Sequence, residues 1–338
     1  MSENYPIDFV VTWVDGNDPV WQAEKAKYSP SKNVDNRNVR FRDWDNMQYW
    51  FRAVEKFAPW VNKIHFVTYG HLPKWLNTNN PKLNIAKHSD FIPQKYLPTF
   101  SSQPIELNLH RINGLAERFV YFNDDMFLLR PVKRELFFAG KDCLPTDFAI
   151  TSTISTTTKE DMMPFIKLNC VTILNGHFDK KEQMKKHFSK WVNLAYGWNA
   201  LRNLIFYGQH RFKGFANNHL AFSFLKSEYE DIWEKEYESL DDTSSHKFRS
   251  KLDLDNWLIR YWQLTRGNFY PIGRHVKGKV YEIYNGVEQN QELFKIIENQ
   301  AMPMICINDN DNVDFEPMKE RIKQAFDRIL PEKSSFEK

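Results

Sequence analysis

The amino-acid sequence predicts an α/β protein with a mostly parallel sheet flanked by helices. Two apolar runs, at residues 7–14 and 119–122, have the length and the aromatic and β-branched content of buried strands. Within the first seventy residues, a strand, a helix and a second strand follow one another. This order is a βαβ unit, which implies parallel neighbouring strands joined by a right-handed crossover.

The helix of this unit is marked by its apolar spacing. The residues that recur on one helical face are Met47, Trp50, Phe51, Val54 and Phe57. We expect the helix to begin near Asp45, with Asp43 or Asp45 as its N-cap, and to end before Pro59. A turn signal at residues 15–19 precedes it, and residues 29–38 are expected to form an exposed loop.

The remaining elements are predicted from shorter patterns. Further strands are predicted at residues 63–68, 83–86, 277–284 and 304–307. Further helices are predicted at residues 105–115, 180–194, 219–237, 254–264 and 315–330. The tail at residues 331–338 is expected to be frayed.

These elements divide the chain into three parts. Residues 1–135 form a Rossmann-like half, and residues 136–300 form a mixed, largely helical region. Residues 301–338 supply a returning strand and a C-terminal helix. The predicted architecture is therefore a Rossmann-like sheet with a helical insertion.

The composition argues against several classes of protein. The 338 residues include 46 basic and 43 acidic side chains, with no basic block of the kind that a nucleic-acid binder needs. Cys143, Cys170 and Cys306 are odd in number and lack metal-ligand spacing, which favours a reducing cytosol over a disulfide scaffold. We expect no secretory signal and no membrane-spanning segment, so any membrane association is expected to be peripheral.

Asn123, Asp124 and Asp125 directly follow the apolar run at residues 119–122. Carboxylates beside a buried strand are costly to desolvate unless a partner is present, and ligands of open α/β sheets lie at the carboxyl ends of strands. Adjacent carboxylate oxygens suit Mg²⁺ or Mn²⁺ completed by substrate phosphates. Two interpretations stay open from this segment alone: a metal site, or a turn whose side chains bond to local backbone.

A second Asn–Asp pair, Asn308 and Asp309, follows the apolar run at residues 304–307. If both runs belong to one sheet, this pair and the Asp124–Asp125 pair converge at one edge. The alternative is a solvated turn. An EF-hand is excluded, because the glycine and the terminal glutamate of its loop are missing.

Four further side chains are candidates on weaker grounds. His219 precedes a stretch predicted as helical, Arg249 precedes another predicted helix, and His177 and Arg211 lie earlier in the sequence. For each, the alternative is a capping, core or solvated side chain. Glycine-rich phosphate loops, GxSxG and HExxH are absent from the sequence, which argues against P-loop, serine hydrolase and zincin chemistry.

Together these segments resemble the four conserved regions of the Stealth family, the sugar-1-phosphate transferases of bacterial capsule and surface-polysaccharide synthesis. The segments are IDFVVTWVDGND at 7–18, residues 40–131 with LPTFSSQPIELNLHRINGLAERFVYFNDDMF at 97–127, the surroundings of His219 and Arg249, and ICIND at 305–309. Relatives in the family include the animal enzyme that starts mannose-6-phosphate tagging of lysosomal proteins. We expect the Rossmann-like fold to be of the GT-A-like kind.

The resemblance implies a UDP-hexose donor, an oligosaccharide acceptor that can be lipid-linked, and release of UMP. An acceptor hydroxyl attacks the phosphorus that bears the hexose. Residues 1–135 would bind the nucleotide sugar, and residues 136–300 would bind the acceptor and phosphate groups. The expected location is cytoplasmic, including the inner face of the cell membrane.

The resemblance also implies roles for individual residues. The matching catalytic positions are His219, Arg249 and Asp125. The matching nucleotide-sugar-binding positions are Thr12, Trp13, Val14, Asp15, Arg40, Arg42 and Asn123. The positions expected to hold Mg²⁺ or Mn²⁺ are Asp124, Asp125, Asn308 and Asp309. Whether His219 is the general base or a phosphate ligand stays open.

Two other functions stay open from the sequence. A GT-A-like glycosyltransferase would use the same acidic cluster but would release UDP. A non-catalytic carbohydrate-binding protein of the same pathway would tolerate substitution of Asp125, His219 or Arg249.

Overall fold

The computed structural model describes residues 5–29, 42–156, 158, 161–310 and 312–338. The strands are β1 (Ile7–Thr12), β2 (Ile64–Thr68), β3 (Leu83–Lys87), β4 (Arg118–Phe122), β5 (Met126–Leu128), β6 (Phe138–Ala139), β7 (Leu144–Asp147), β8 (Phe222–Leu225), β9 (Tyr270–Pro271), β10 (Gly278–Glu282) and β11 (Met304–Asn308). The helices are α1 (Pro19–Tyr28), α2 (Met47–Phe57), α3 (His88–Phe91), α4 (Ser102–Leu107), α5 (Met163–His177), α6 (Lys180–Lys186), α7 (Phe188–Trp191), α8 (Asn199–Ile205), α9 (Lys226–Lys235), α10 (Tyr237–Ser245), α11 (Asn256–Thr265), α12 (Gln291–Glu298) and α13 (Phe315–Ile329). Nearly all of the predicted loop at 29–38 lies outside the described residues.

A five-stranded sheet with the order β3-β2-β1-β4-β8 forms the centre of the fold. Its first four strands are parallel, and β8 at the edge is antiparallel to β4. Alternate residues of β1 enter two different cores, because side chains of a strand point to opposite faces. Phe9 and Val11 pack in the core that includes residues of α2, α12 and α13, and Val10 packs in the core that includes residues of α5, α9 and α11. The predicted α/β class, with a mostly parallel sheet flanked by helices, is confirmed.

A second sheet has the order β10-β11-β5, with β10 parallel and β5 antiparallel to β11. Only residues 123–125 separate β4 from β5, so this short corner joins the two sheets. The hypothesis that residues 119–122 and 304–307 share one sheet is therefore wrong. The two runs nevertheless end close together, because β5 turns back from β4 and pairs with β11.

The stretch predicted as one helix at residues 219–237 is strand β8 followed by helix α9. Across the sheet, Phe222 lies opposite Tyr121 and Phe224 lies opposite Phe119. This pairing gives hydrogen-bond partners to the buried backbone groups of β4. A helix at residues 222–225 would leave those groups unpaired. The prediction that a helix directly follows His219 is wrong, since a strand lies between them.

Two other predicted helices are shorter than expected. The helix predicted at 105–115 is α4, which ends where the side-chain Nδ2 of Asn108 donates to the carbonyl of Pro104 and a turn of 3₁₀ helix follows. The helix predicted at 180–194 is divided at His187 into α6 and α7. Helices α1, α3, α5, α8, α10 and α12 were not predicted, although α1 has a recognisable start in Asp18, whose carboxylate accepts from the backbone N–H of Trp21.

The tail at 331–338 is packed against the domain, so the prediction of a frayed end is wrong. Phe336 is buried, and the carboxylate of Glu337 accepts two hydrogen bonds of 2.8 Å from the guanidinium of Arg52. The backbone N–H of Lys338 donates to the carbonyl of Trp75. The division of the chain at residues 135 and 300 stays a prediction.

Candidate active site

One cavity of about 700 Å³ lies at the carboxyl ends of β1, β4 and β11. It lies between two walls. The sheet wall consists of residues at strand ends: 12–14, 123–125 and 307–309. The helical wall consists of residues 99–103, 105–106, 248–249 and 255–257, near the N-terminal ends of α4 and α11. This is the edge of an open α/β sheet at which ligands bind.

The structure brings most of the predicted site residues together in this cavity. Those that line it are Thr12, Trp13, Val14, Arg42, Asn123, Asp124, Asp125, His219, Arg249, Asn308 and Asp309. Asp15 lies beside the cavity, in the turn after β1, where its carboxylate accepts from the backbone N–H of Asn17. Arg40 lies outside the described residues. His177 is paired with Glu236, and Arg211 donates to the carbonyl of Asn175, so neither reaches the cavity.

The acidic corner at residues 123–125 is held by the second sheet. The backbone N–H of Ile307 donates to the carbonyl of Asp125 over 2.8 Å, and that of Met126 donates to the carbonyl of Asn123 over 3.3 Å. Because a backbone bond from β11 fixes the corner, the carboxylates keep a defined position relative to both sheets.

Asp125, His219 and Cys306 form the most compact group of the site. Their ligand atoms all lie within 4.8 Å of one another. The thiol of Cys306 donates to Asp125 Oδ2 over 3.2 Å, and its Sγ lies 3.9 Å from His219 Nδ1. Asp125 Oδ1 is buried and has no hydrogen-bond partner among the described residues. Burying a carboxylate oxygen without a partner costs free energy of folding, so this atom is a candidate ligand for a bound cation.

The carboxylates of the corner repel one another. Burial, together with the nearby charges of Asp125 and Asp43, raises the pKa of Asp124 to about 7. Burial also raises the pKa of Asp43. Since three carboxyl groups crowd one region, a bound cation would relieve both the burial cost and the repulsion.

Burial likewise keeps the thiol of Cys306 protonated. The pKa of Cys306 lies well above its usual value because the side chain is buried and faces the Asp125 carboxylate. A protonated thiol is a hydrogen-bond donor and a poor metal ligand. In this state the thiol of Cys306 holds Asp125 Oδ2 by a hydrogen bond, and Asp125 Oδ1 stays available to a ligand.

Asn308 and Asp309 lie at the same edge but have partners of their own. The side-chain amide of Asn308 donates to the carboxylate of Glu282 over 2.8 Å. Asp309 Oδ2 accepts from Trp44 Nε1 over 3.1 Å and lies 3.6 Å from Arg42 Nε. The two residues are therefore placed by their neighbours, and Asp309 directs Arg42 towards the cavity.

His219 is oriented by the same corner. Its Nε2 lies 2.9 Å from the side-chain Nδ2 of Asn123. Since an amide nitrogen can only donate, His219 Nε2 is the acceptor of this contact, which orients the imidazole beside the cavity.

Arg249 stands on the opposite, helical wall. Its guanidinium donates to the hydroxyl of Ser102 over 3.2 Å and to Gln103 Oε1 over 3.3 Å. Behind it, burial and the charge of Asp255 raise the pKa of Glu106 to about 7. Burial raises the pKa of Asp255 to about 6. The helical wall thus places the guanidinium of Arg249 at the cavity. The raised pKa values of Glu106 and Asp255 mean that these neighbouring carboxyl groups lose their protons less readily than usual.

Residues 12–14 complete the sheet wall at the end of β1. The hydroxyl of Thr12 lies 3.2 Å from the hydroxyl of Tyr121, and the indole of Trp13 stacks on Phe66 with ring centroids 5.6 Å apart. The imidazole of His88 also lines the cavity, and burial lowers its pKa to about 3.

Sequence reasoning missed several side chains of the site. Cys306 looked like one more apolar residue of its strand, and Ser102 and Gln103 looked like ordinary residues before a helix. Glu106 carried a usable signal, because an acidic residue inside an apolar pattern needs a partner when it is buried.

Protein-family models and known relatives match this chain. The family models described as "Stealth protein CR1, conserved region 1" and "Stealth protein CR2, conserved region 2" match residues 5–33 and 40–144. The chain is 42% identical to "Capsular polysaccharide phosphotransferase WcwK" of Streptococcus pneumoniae, with 100% of both chains covered. It is 41% identical to "Receptor polysaccharide phosphotransferase WefC" of Streptococcus gordonii, with 98% of both covered.

A third relative is "Exopolysaccharide phosphotransferase cps2G" of Lactiplantibacillus plantarum, at 38% identity over 100% of this chain and 98% of the relative. Among solved structures, the galactosyltransferase LgtC in complex with donor and acceptor sugar analogues matches with a TM-score of 0.37 and 8% identity. That match covers 94% of this chain and 95% of LgtC. Across the described residues, no helix combines the length and the apolar character needed to cross a bilayer.

Proposed function

The chain belongs to the Stealth family, and from this premise we propose that it transfers hexose-1-phosphate from a UDP-hexose to a hydroxyl of an acceptor glycan. The transfer would release UMP and would serve the synthesis of a bacterial capsular or other cell-surface polysaccharide. The observation that carries the proposal is the meeting of Asp125, His219 and Arg249 in one cavity, although they lie far apart in the sequence.

The residues of the acidic corner fit a hard divalent cation. Asp125 Oδ1 is buried and meets no hydrogen-bond partner in the part of the chain that the structure describes, and burial disfavours the charged form of Asp124. Asp124, Asp125 and the side-chain carbonyl of Asn308 would hold Mg²⁺ or Mn²⁺, which prefer oxygen ligands. Asp309, already bonded to Trp44, would mainly position Arg42. When bound, the cation neutralises charge on the diphosphate and on the departing UMP.

The proposed reaction is an in-line displacement at phosphorus. The acceptor hydroxyl oxygen forms a new bond to the phosphorus that carries the hexose. The bond from that phosphorus to the bridging oxygen breaks, and UMP leaves with that oxygen and its electron pair. The hydroxyl proton passes to the imidazole of His219, whose Nε2 exchanges its contact with the Asn123 amide for one with the acceptor hydroxyl. The product is a phosphodiester between the hexose and the acceptor.

Arg249 would bind the group in transfer. A guanidinium can contact two oxygens of a phosphoryl group at once, and its charge stabilises the spread negative charge of the transition state. Its position on the helical wall, opposite the acidic corner, leaves room for the diphosphate between them. Thr12, Trp13 and Val14 would contact the nucleotide at the end of β1.

The acceptor and the location are part of the same proposal. We expect an oligosaccharide acceptor that can carry a lipid, a cytoplasmic enzyme that works at the inner face of the membrane, and no nucleic-acid partner. The relatives named for capsular, receptor and exopolysaccharide phosphotransfer support this acceptor class.

The nucleotide product tests the function directly. Purified protein would be incubated with a panel of UDP-hexoses and oligosaccharide acceptors in the presence of Mg²⁺, and the products separated by mass spectrometry. We expect UMP and an acceptor heavier by one hexose phosphate, with a phosphodiester signal in the ³¹P NMR spectrum. Release of UDP with addition of a bare hexose would instead establish a glycosyltransferase.

A non-catalytic carbohydrate-binding role predicts a different pattern. Asp125→Ala, His219→Ala and Arg249→Ala variants, shown by circular dichroism to be folded, would then bind and function like the wild type. As an enzyme, each variant should lose about 10²–10³-fold in rate, since single electrostatic contacts contribute on that scale.

A further inference from the structure

The segment from α6 to residue 213 exposes more large apolar side chains than the surface around it. We call it the apolar–basic surface. Leu194 is 98% exposed, Trp198 is 87% exposed and Ile205 is 76% exposed. Phe188, Leu201 and Leu204 are each more than two fifths exposed. Scattered exposed apolar residues are ordinary, whereas several of them within one short segment are typical of an interaction surface.

Helix α8 shows that three of these side chains share one face. Trp198, Leu201 and Ile205 are spaced three and four residues apart, at the start of α8 and along it, so they project from one side. The opposite side points inward through Asn203, which is fully buried. The Asn203 amide donates to the carbonyls of Ala149 and Trp191, and its Oδ1 accepts from the backbone N–H of Thr151. The helix therefore has its polar residue in the protein and its apolar face in solvent, the reverse of a core-packing helix.

The charge around this face is strongly one-sided. Residues 180–213 contain eight Lys or Arg and a single Glu, whereas the whole chain has 46 basic and 43 acidic residues. The remainder of the chain therefore has an excess of acidic side chains. The exposed cations of the segment are Lys181, Lys185, Lys186, Arg202, Arg211 and Lys213. Cations flanking exposed Trp, Leu and Ile match the interface of a bilayer with anionic headgroups.

The apolar–basic surface is connected to the cavity. A Cβ on Gly273 would lie 3.0 Å from the carbonyl oxygen of Ala195, so the loop at residues 272–276 packs directly against this surface. In the same loop, Arg274 donates to the carbonyl of Asn217, and its own carbonyl accepts from the amide of Asn218. Asn218 precedes His219 in the sequence. A bilayer at this surface would lie next to the segment that carries the histidine of the cavity.

We propose that the apolar–basic surface docks the protein peripherally on a bilayer that contains anionic phospholipids. Trp198, Leu194 and Ile205 enter the headgroup region, and the flanking lysines contact lipid phosphates. The proposal deepens the membrane-side location in the proposed function, but its structural basis is independent of the chemistry. No covalent step is involved.

Vesicle flotation tests the docking. The full chain would be mixed with vesicles of phosphatidylcholine containing phosphatidylglycerol, with pure phosphatidylcholine vesicles, and at low and high salt. We expect binding to the anionic vesicles that weakens with salt, and much weaker binding to the neutral vesicles. Trp198→Glu combined with Ile205→Glu should reduce the bound fraction at least about tenfold. Leu252→Glu is the matched control, because Leu252 is 74% exposed but lies outside the surface.

A second variant keeps the test decisive if the first one folds poorly. Lys185→Glu combined with Lys186→Glu changes only exposed charges, and it should weaken binding to anionic vesicles while leaving any binding to neutral vesicles unchanged. Wild-type protein that fails to float with anionic vesicles would overturn the proposal. So would concentration-dependent dimerisation that the Trp198 and Ile205 substitutions abolish, because the surface would then bind a second copy of the chain.

Activity on a soluble oligosaccharide acceptor separates this proposal from the proposed function. The surface variants should transfer to a soluble acceptor at the wild-type rate, since the substituted residues lie outside the cavity. Loss of vesicle binding with retained transfer supports docking. Absence of transfer by the wild type would count against the reaction and would leave the vesicle result standing on its own.

Discussion

The sheet wall and the helical wall face each other across one cavity, but they hold their charged groups in different ways. In the sheet wall, Asp125 is fixed by the backbone, because its carbonyl accepts from the N–H of Ile307 in the second sheet. In the helical wall, Arg249 is held by side chains, through bonds of 3.2 and 3.3 Å to Ser102 and Gln103. Backbone pairing fixes a position more strongly than long side-chain bonds do.

This difference assigns the two walls different tasks. The carboxylates are pre-organised before any ligand arrives, as electrostatic stabilisation of a transition state requires. The guanidinium can exchange its bonds with Ser102 and Gln103 for stronger, charge-assisted bonds to a phosphoryl group. Substitutions in the sheet wall should therefore cost more activity than substitutions in the helical wall.

The largest effect is expected at Asp125. Asp125→Asn keeps the shape of the side chain but removes the charge, so the rate of transfer should fall about 10²–10³-fold. Transfer rates measured at saturating Mg²⁺ test this, with Asp242→Asn as a control, since Asp242 lies on α10 outside the cavity. Wild-type protein in excess EDTA should be equally inactive. A variant within a few-fold of wild type would show that the sheet wall does not carry the chemistry.

A smaller loss is expected at Arg249. Arg249→Lys keeps the positive charge but removes the planar fork that contacts two oxygens, so the rate should fall by about 100-fold or less. Ser102→Ala should cost about tenfold or less, since it removes one supporting hydrogen bond. The matched control is Arg266→Lys, because Arg266 pairs with Glu228 and Asp231 away from the cavity. A larger loss for Arg249→Lys than for Asp125→Asn would reverse the proposed ranking of the walls.

Substitution of Cys306 tests whether its thiol positions the carboxylate of Asp125. Cys306→Ala removes the donor to Asp125 Oδ2, so the Mg²⁺ concentration for half-maximal activity should rise about tenfold, as for other residues that orient metal ligands. Cys306→Ser keeps a donor and should restore most of the metal affinity. A merely structural role would lower stability without a shift in metal dependence. Cys143→Ala, outside the cavity, is the control.

Among these substitutions, Glu106→Gln should have the smallest effect on activity. Its effect on stability should depend on pH. Burial and Asp255 raise the pKa of Glu106 to about 7 in the folded state, above its ordinary value of 4.5. The folded protein therefore binds this proton more tightly than the unfolded chain does, and stability falls as the pH rises from about 4.5 to 7. Glu106→Gln removes this loss.

Thermal unfolding followed from pH 4 to pH 9 checks the sign of this effect. The midpoint of Glu106→Gln should equal that of the wild type near pH 4 and exceed it above about pH 7. Glu238→Gln, an exposed substitution on α10, should show no such divergence. A variant that is less stable than the wild type at high pH would show that ionised Glu106 is stabilised, for example by Arg249.

The sequence predicted the sheet wall better than the helical wall for a physical reason. Polar residues directly after a buried strand, such as Asp124 and Asp125, are local in sequence and conspicuous against their apolar surroundings. Arg249 reaches its place through contacts with Ser102 and Gln103, almost 150 residues earlier in the chain, which no local pattern expresses. The resemblance to a known family, and not periodicity, singled out Arg249.

In the fold, too, local sequence patterns fail where distant contacts decide the conformation. Strands β1, β2 and β4 were predicted because continuous apolar runs identify buried strands. Strand β8 was mistaken for helix, because pairing with β4 decides its conformation and the local pattern does not. The packed tail was missed for a similar reason, since contacts with distant residues hold it, such as the ion pair of Glu337 with Arg52.

The corner between β4 and β5 also limits how the protein can move. Because residues 123–125 belong to a connection shared by two sheets, sliding one sheet past the other would break the Ile307–Asp125 backbone bond. The two sheets therefore keep their relative position, and we expect closure over a substrate to come from displacement of α4 and the loop that carries Arg249. Crystals grown with and without nucleotide should superpose on the strands and differ on the opposite side of the cleft.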